Sequence, residues 1–91
     1  MGTAILQIKI MPDGVDTDLE AIKAEVVKKL EKENIKSAPR FEEQPIAFGL
    51  KALIVTTIWP EEKDTDLAAD LMKTISGVSQ ADITDYRRAI G

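Results

Sequence analysis

From Leu50 to Trp59 the chain reads L-K-A-L-I-V-T-T-I-W, and no other stretch of comparable length is so rich in β-branched residues. Apolar side chains fall on both alternating faces, as in a strand at the centre of a sheet rather than at its rim. Immediately upstream, Gln44-Pro45-Ile46-Ala47-Phe48-Gly49 has the length of a hairpin connection, and Gly49 is free to take positive φ. The preceding residues, Ile35 to Gln44, show no clean alternation, and Pro39 confines any strand there to a sheet edge.

Further upstream the periodicity changes twice. Leu19, Ile22, Val26, Val27 and Leu30 recur at helical spacing with charged residues elsewhere on the wheel, which predicts a helix over Thr17–Lys32. Asp16 or Thr17 would cap it, Thr17-x-x-Glu20 fits a capping box, and lysines gather in the last turn. Before it, Thr3 to Met11 places Leu6, Ile8 and Ile10 in alternation with Gln7 and Lys9, the pattern of a half-buried strand that Pro12-Asp13-Gly14 terminates. Downstream of Trp59, Leu67, Ala68, Leu71, Met72 and Ile75 predict a second helix over Thr65–Ser76, with Gly77 placed as a C-terminal stop. Ile83 and Tyr86 suggest a last short strand between Val78 and Arg88.

The resulting order is β-α-β-β-α-β, which predicts an α+β, ferredoxin-like sandwich: one four-stranded antiparallel sheet with two helices on one face. Right-handed crossovers place the first and third strands in the centre. An internal echo supports a duplicated unit, since Met11-Pro12-Asp13-Gly14-Val15-Asp16-Thr17-Asp18-Leu19 matches Trp59-Pro60-Glu61-Glu62-Lys63-Asp64-Thr65-Asp66-Leu67 in register. Convergence on good turn chemistry is the alternative.

Composition narrows the function. Ninety-one residues, 44% hydrophobic and 31% charged, make one domain spanning residues 1–91. There is no cysteine and no histidine, so thiol chemistry and the commonest general base are missing. The three serines have no activating partner of the usual kind, and the five glycines form no phosphate-binding loop. The Asp16/Asp18 and Asp64/Asp66 pairs are read as caps rather than as cation ligands, and Glu42-Glu43 and Glu61-Glu62 as solvated loop faces. These residues predict no enzyme and no cofactor. A net charge of −4 with mixed signs argues against direct nucleic-acid binding. The absence of an apolar run long enough to span a bilayer and of a signal-type N-terminus predicts a cytoplasmic protein without a membrane partner, expected to be a monomer. Two local features stand out. Phe48 beside Gly49 in a loop is either an interface anchor or, as the gain from aromatic burial favours, a lid over the end of the core. Arg87-Arg88 near the end of the chain is a permanent cationic pair, by default solvated and functional only against an acidic or phosphate-bearing pocket.

Taken together, I-L-Q-I-K-I-M-P at the start, D-T-D-L-E at the first helix, the loop from Gln44 to Leu53 with P-I-A-F-G-L, and the ending Asp82-Ile83-Thr84-Asp85-Tyr86-Arg87-Arg88 resemble the archaeal elongation factor 1-beta family over nearly the whole chain. That resemblance implies the same sandwich and a guanine-nucleotide exchange factor acting on elongation factor 1-alpha in translation elongation, by binding and without covalent chemistry. It implies partner contacts through Phe48 and Gly49, with Lys51 close by in the same segment, and through a basic residue near the C-terminus that intrudes on the Mg²⁺ site of the GTPase. Aligned through Asp82 and Tyr86, that residue is Arg88, where eukaryotic relatives carry lysine; whether Arg87 or Arg88 serves stays open. The competing readings are an RNA-binding module on the same frame, for which the central strands offer only Trp59 as an aromatic, and an acylphosphatase-like enzyme, for which the first turn offers Asp13-Gly14-Val15 but no arginine.

Overall fold

The structure is a computed structural model that describes residues 2–35 and 37–88. Seven elements follow the chain: β1 (Thr3–Pro12), α1 (Leu19–Lys32), β2 (Arg40–Pro45), a short 3₁₀ turn (Ala47–Gly49), β3 (Lys51–Pro60), α2 (Thr65–Lys73) and β4 (Val78–Arg88). The sheet order is β2-β3-β1-β4 with every pairing antiparallel. This is the ferredoxin-like arrangement that the periodicities predict, with β1 and β3 in the centre. The tail Ala89-Ile90-Gly91, which follows the basic pair, lies outside the described residues.

Alternation puts Leu6, Ile8 and Ile10 of β1 on the helix-facing side, opposite Thr57, Val55 and Leu53 of β3. All three are fully buried, and Ile22, Val26 and Leu30 of α1 and Ala68 and Met72 of α2 close over them. Trp59 is buried at one end of this core, its indole N–H donating to the Lys63 carbonyl at 3.3 Å. β2 is an edge strand framed by Pro39 and Pro45, and almost wholly exposed, which explains its lack of alternation. Short length and flanking prolines also protect that edge against pairing with other chains.

α1 begins later than the sequence reading, whereas α2 begins at Thr65 as read. The cap of α1 is Asp18, whose carboxylate accepts from the backbone N–H groups of Glu20 and Ala21, and not Asp16 or Thr17. Thr17 is consumed by the preceding turn: its N–H donates to the Gly14 carbonyl at 3.2 Å, and its hydroxyl accepts from the Gly14 N–H at 3.1 Å. α2 is capped by Asp64. The two echoed segments therefore keep a common sequence register but start their helices two positions apart, because the second turn closes earlier, with Lys63 N–H on the Pro60 carbonyl.

The ends differ as well. α1 closes in a Schellman motif: Ile35 N–H donates to the Leu30 carbonyl and Asn34 N–H to the Glu31 carbonyl, with Asn34 at φ 64°. Leu30 and Ile35 share the core, the apolar contact that accompanies this motif. α2 stops at Lys73, short of the predicted Ser76, and Gly77 at φ 94° serves the turn into β4, its carbonyl accepting from Asp13 N–H at 2.8 Å.

β4 carries two register shifts against β1. Gln7 pairs with Asp85 while Ile8 pairs with Ile83, leaving Thr84 as an extra residue, and Ser79 is extra between Gln80 and Val78. Both are hydroxyl residues that donate to β1 carbonyls, Thr84 to Gln7 and Ser79 to Met11 and Pro12.

The Schellman geometry makes a stability prediction. Asn34→Gly is expected to leave stability unchanged or raise it, because glycine takes positive φ without penalty. Asn34→Val should lower it by about 1–2 kcal/mol, since a β-branched residue at positive φ is strained. Chemical denaturation of the two variants checks this.

Candidate functional site

The β2–β3 hairpin closes through a tight loop. Pro45 pairs with Lys51, Ile46 N–H donates to the Leu50 carbonyl at 2.8 Å, and Leu50 N–H to the Ala47 carbonyl at 3.2 Å. The three residues left at the tip are Ala47, Phe48 and Gly49. Phe48 (φ 61°, ψ 33°) and Gly49 (φ 78°) both take left-handed backbone conformations. Glycine does so freely; phenylalanine does so at a cost of roughly 1–2 kcal/mol.

The result overturns the expectation that Phe48 folds back over the core. Phe48 is 95% exposed, the most exposed of the large apolar residues among the described residues. With both loop stems tied by the Ile46–Leu50 pairing, no slack remains for the ring to reach the core. A strained, fully solvated aromatic has no role in stability that the surrounding structure reveals, which directs attention to function.

Beneath the tip lies a cleft of about 370 Å³ lined by residues of the β1–α1 turn together with Glu43, Gly49 and Lys51. Ion pairs tie its walls together. Lys23 reaches Glu20 at 2.7 Å and Glu43 at 3.2 Å, and Lys51 reaches Glu43 at 3.8 Å. Helix α1, edge strand β2 and the start of β3 are thus joined by alternating charges. The hydrogen bonds that the Lys23 ammonium donates, first to Glu20 and then to Glu43, raise the pKa of Lys23 above its ordinary value. The Lys51 ammonium is held toward this network, on the flank of the hairpin.

The basic pair lies at the other end of the molecule. Ile10 stands beside Leu53 near the hairpin, whereas Ala4 stands beside Trp59 and Arg88. The strand between Ile10 and Ala4 covers roughly 20 Å at about 3.3 Å per residue. The longest extent of the molecule is 42 Å. Phe48, Gly49 and Lys51 are therefore brought together, and Arg87 and Arg88 are placed apart from them. The two arginines also face opposite sides of the sheet. Arg88 pairs with Ala4 on the helix side and its Nε contacts Glu61 Oε1 at 2.9 Å; Arg87 pairs with Ile5 on the open side and contacts Asp85 Oδ2 at 3.0 Å. Both side chains are highly exposed, so each ion pair holds by no more than about 1 kcal/mol and yields readily to a stronger anion.

Two other sets of candidate residues take structural places. Asp18 and Asp64 are occupied as helix caps, and among the described residues no group of three or more acidic side chains converges as a metal site would require. The open face of the sheet carries Ile5, Gln7, Lys9, Ile54, Thr56 and Ile58, while Trp59, Phe41 and Tyr86 pair with residues of the helix-facing side. Among the described residues that face thus presents no aromatic on which a base could stack, so the RNA-binding alternative lacks its platform. No helix among the described residues is long and apolar enough to cross a membrane.

The described residues form a ferredoxin-like domain with a solvated aromatic at one end and a cationic pair at the other. Comparison with known proteins identifies the family to which this domain belongs. The chain belongs to the EF-1 guanine nucleotide exchange domain family, which it matches over residues 5–89. Its relatives include the elongation factor 1-beta proteins of Methanosarcina barkeri, 43% identical with 97% of this chain and 99% of the relative aligned, and of Metallosphaera sedula, 41% identical with 97% of each aligned. That of Methanothermobacter thermautotrophicus is 37% identical, with 97% of this chain and 98% of the relative aligned.

Two outcomes are expected from this geometry. Phe48→Asn should leave the thermal midpoint unchanged or raise it, since asparagine tolerates the left-handed conformation and no buried contact is lost. Calorimetry of the variant checks this. The raised pKa of Lys23 means that its pairs contribute fully below the ordinary lysine pKa of about 10.4 and are lost as pH rises through the higher folded-state value. The midpoint difference between wild type and Lys23→Gln should accordingly be constant from about pH 7 to about pH 9 and shrink as pH rises above the ordinary lysine pKa.

Proposed function

We propose that this chain promotes release of GDP from elongation factor 1-alpha during translation elongation in the cytoplasm, gripping the GTPase at two separated places. The observation that carries the reading is Phe48: a strained, 95% exposed aromatic within the matched family domain. In this scheme the hairpin tip, Phe48 with Gly49 and the flanking Lys51, anchors the complex by burying apolar surface. The arginine end meets the nucleotide site, where bound GDP is held partly through Mg²⁺ bridging its phosphates. A guanidinium entering there repels the metal and competes for its anionic ligands. Arg88 and Arg87 exchange Glu61 or Asp85 for such ligands at little cost, since their present pairs are solvent-screened.

No covalent step is needed. Exchange is a coupling between two binding events, so nucleotide rebinding displaces the factor by the same free energy with which the factor weakened the nucleotide. Each tenfold loss of nucleotide affinity corresponds to ~1.4 kcal/mol of interaction made only in the nucleotide-depleted complex. The long axis of the domain suits this division: one end holds while the other, roughly 20 Å of strand away, perturbs.

Release of a fluorescent GDP analogue from elongation factor 1-alpha of the same organism tests the proposal. Substoichiometric protein should accelerate release. Arg88→Ala is expected to reduce the rate within the complex more than the affinity, and Phe48→Ala to weaken affinity first. Because Arg87 and Arg88 face opposite sides of the sheet, only one of the two alanine variants should show the rate defect. Equal losses of affinity alone in all three variants would sink the division of labour, and no acceleration by wild type would sink the exchange reading.

A further inference from the structure

Val15 and Phe48 are the two most exposed large apolar side chains among the described residues, at 61% and 95%. They come from unrelated parts of the chain: Val15 from the turn between β1 and α1, Phe48 from the hairpin between β2 and β3. Yet the two loops lie side by side. A methyl group built on Gly49 would stand 3.6 Å from Val15 Cγ1, so the valine side chain faces the residue that follows Phe48 across a gap that one methyl would fill. Val15 and Gly49 also line the same cleft. Neither apolar group gains anything from the core, and both are fixed by hydrogen-bonded turns: Thr17 on Gly14 for the one, Ile46 on Leu50 for the other.

We infer that Val15 is a second anchor, and that Val15 and Phe48 act as one two-pronged apolar tip that seats in a single apolar pocket of the exchange partner. This rests on the exchange reading above and names a contact residue that reading does not contain. Continuity with the Phe48 tip selects the same partner. Charge describes the pocket further. Asp13 and Asp16, both exposed, flank Val15, and Glu20 and Glu43 stand in the cleft beside Lys51. The tip is thus an apolar centre in a mainly acidic surround, and it fits an apolar pocket with a basic rim. Preorganisation is the physical advantage: two prongs held by closed turns lose little freedom on docking.

Titration of elongation factor 1-alpha with wild type, Val15→Asp, Val15→Leu, Phe48→Ala and the double variant Val15→Asp/Phe48→Ala tests the inference. Val15 is exposed, so its substitutions leave the core intact. The expected result is a loss of about tenfold or more in affinity for Val15→Asp and less than about twofold for Val15→Leu. In the double variant the aspartate should add less than about threefold, because side chains sharing one pocket are coupled. Affinity of Val15→Asp within about twofold of wild type, while Phe48→Ala binds weakly, overturns the inference and leaves the exchange reading standing. Full additivity overturns the claim of a single pocket. A homodimer that Val15→Asp dissociates without loss of GTPase affinity assigns the tip to a second copy of the chain and overturns the inference equally. Absence of any wild-type binding removes both readings together.

Discussion

The placement of β1 between β3 and β4 is the constraint on which the molecule depends. Each side of this strand is a ladder, and its alternation divides Leu6, Ile8 and Ile10 from Gln7 and Lys9. Sliding the strand by one residue against its neighbours would send the glutamine and lysine into the helix-covered core and expose three branched side chains. Side-chain periodicity thus admits one register. Once that register is set, so are the ends: the turn with Val15 must rise beside the β2–β3 hairpin, and the last residues of β4 must finish beside the first residues of β1.

The core and the candidate contact residues are consequently separated in space. The core runs from Trp59 to Ile10 without a reactive group, and the helices that cover it are capped and closed by local interactions. What departs from good folding chemistry sits at the extremities: a phenylalanine in a left-handed conformation, a solvated valine, and arginines held only by screened carboxylates. A fold of this type is shared by many unrelated activities, so function has to be argued from the particular residues grafted on it.

Much of this was legible in the sequence because burial leaves a period. β1, β3 and both helices announce themselves through alternation or helical spacing, and the topology follows from their order. β2 was faint because an edge strand exposed on nearly every residue has no face to declare. The cap of α1 was misplaced by up to two residues, since Asp16, Thr17 and Asp18 are all competent caps and only the Gly14–Thr17 turn decides between them. Asn34 gave no signal apart from its identity. The exposure of Phe48 ran against the general tendency of aromatics to bury, and Val15 carried no signal at all. A valine in a turn becomes informative only when a second loop, distant in sequence, is seen to meet it.

Ile83 and Tyr86 hint at the last strand, but three positions separate them, an odd spacing for two residues on one side of a strand. The extra Thr84 resolves the oddity, because one unpaired residue reverses the phase of everything after it. The terminal arginines inherit that reversal. In an uninterrupted strand Arg87 would share the side of Ile83 and Arg88 would face away; as built, the two have traded places. A single-residue gap or insertion near this point, the most easily overlooked difference between two related chains, therefore changes which cation each presents to a partner while leaving both identities untouched. In this chain a position near the end of β4 thus carries a facing as well as an identity, and sequence distance from Ile83 alone does not give it.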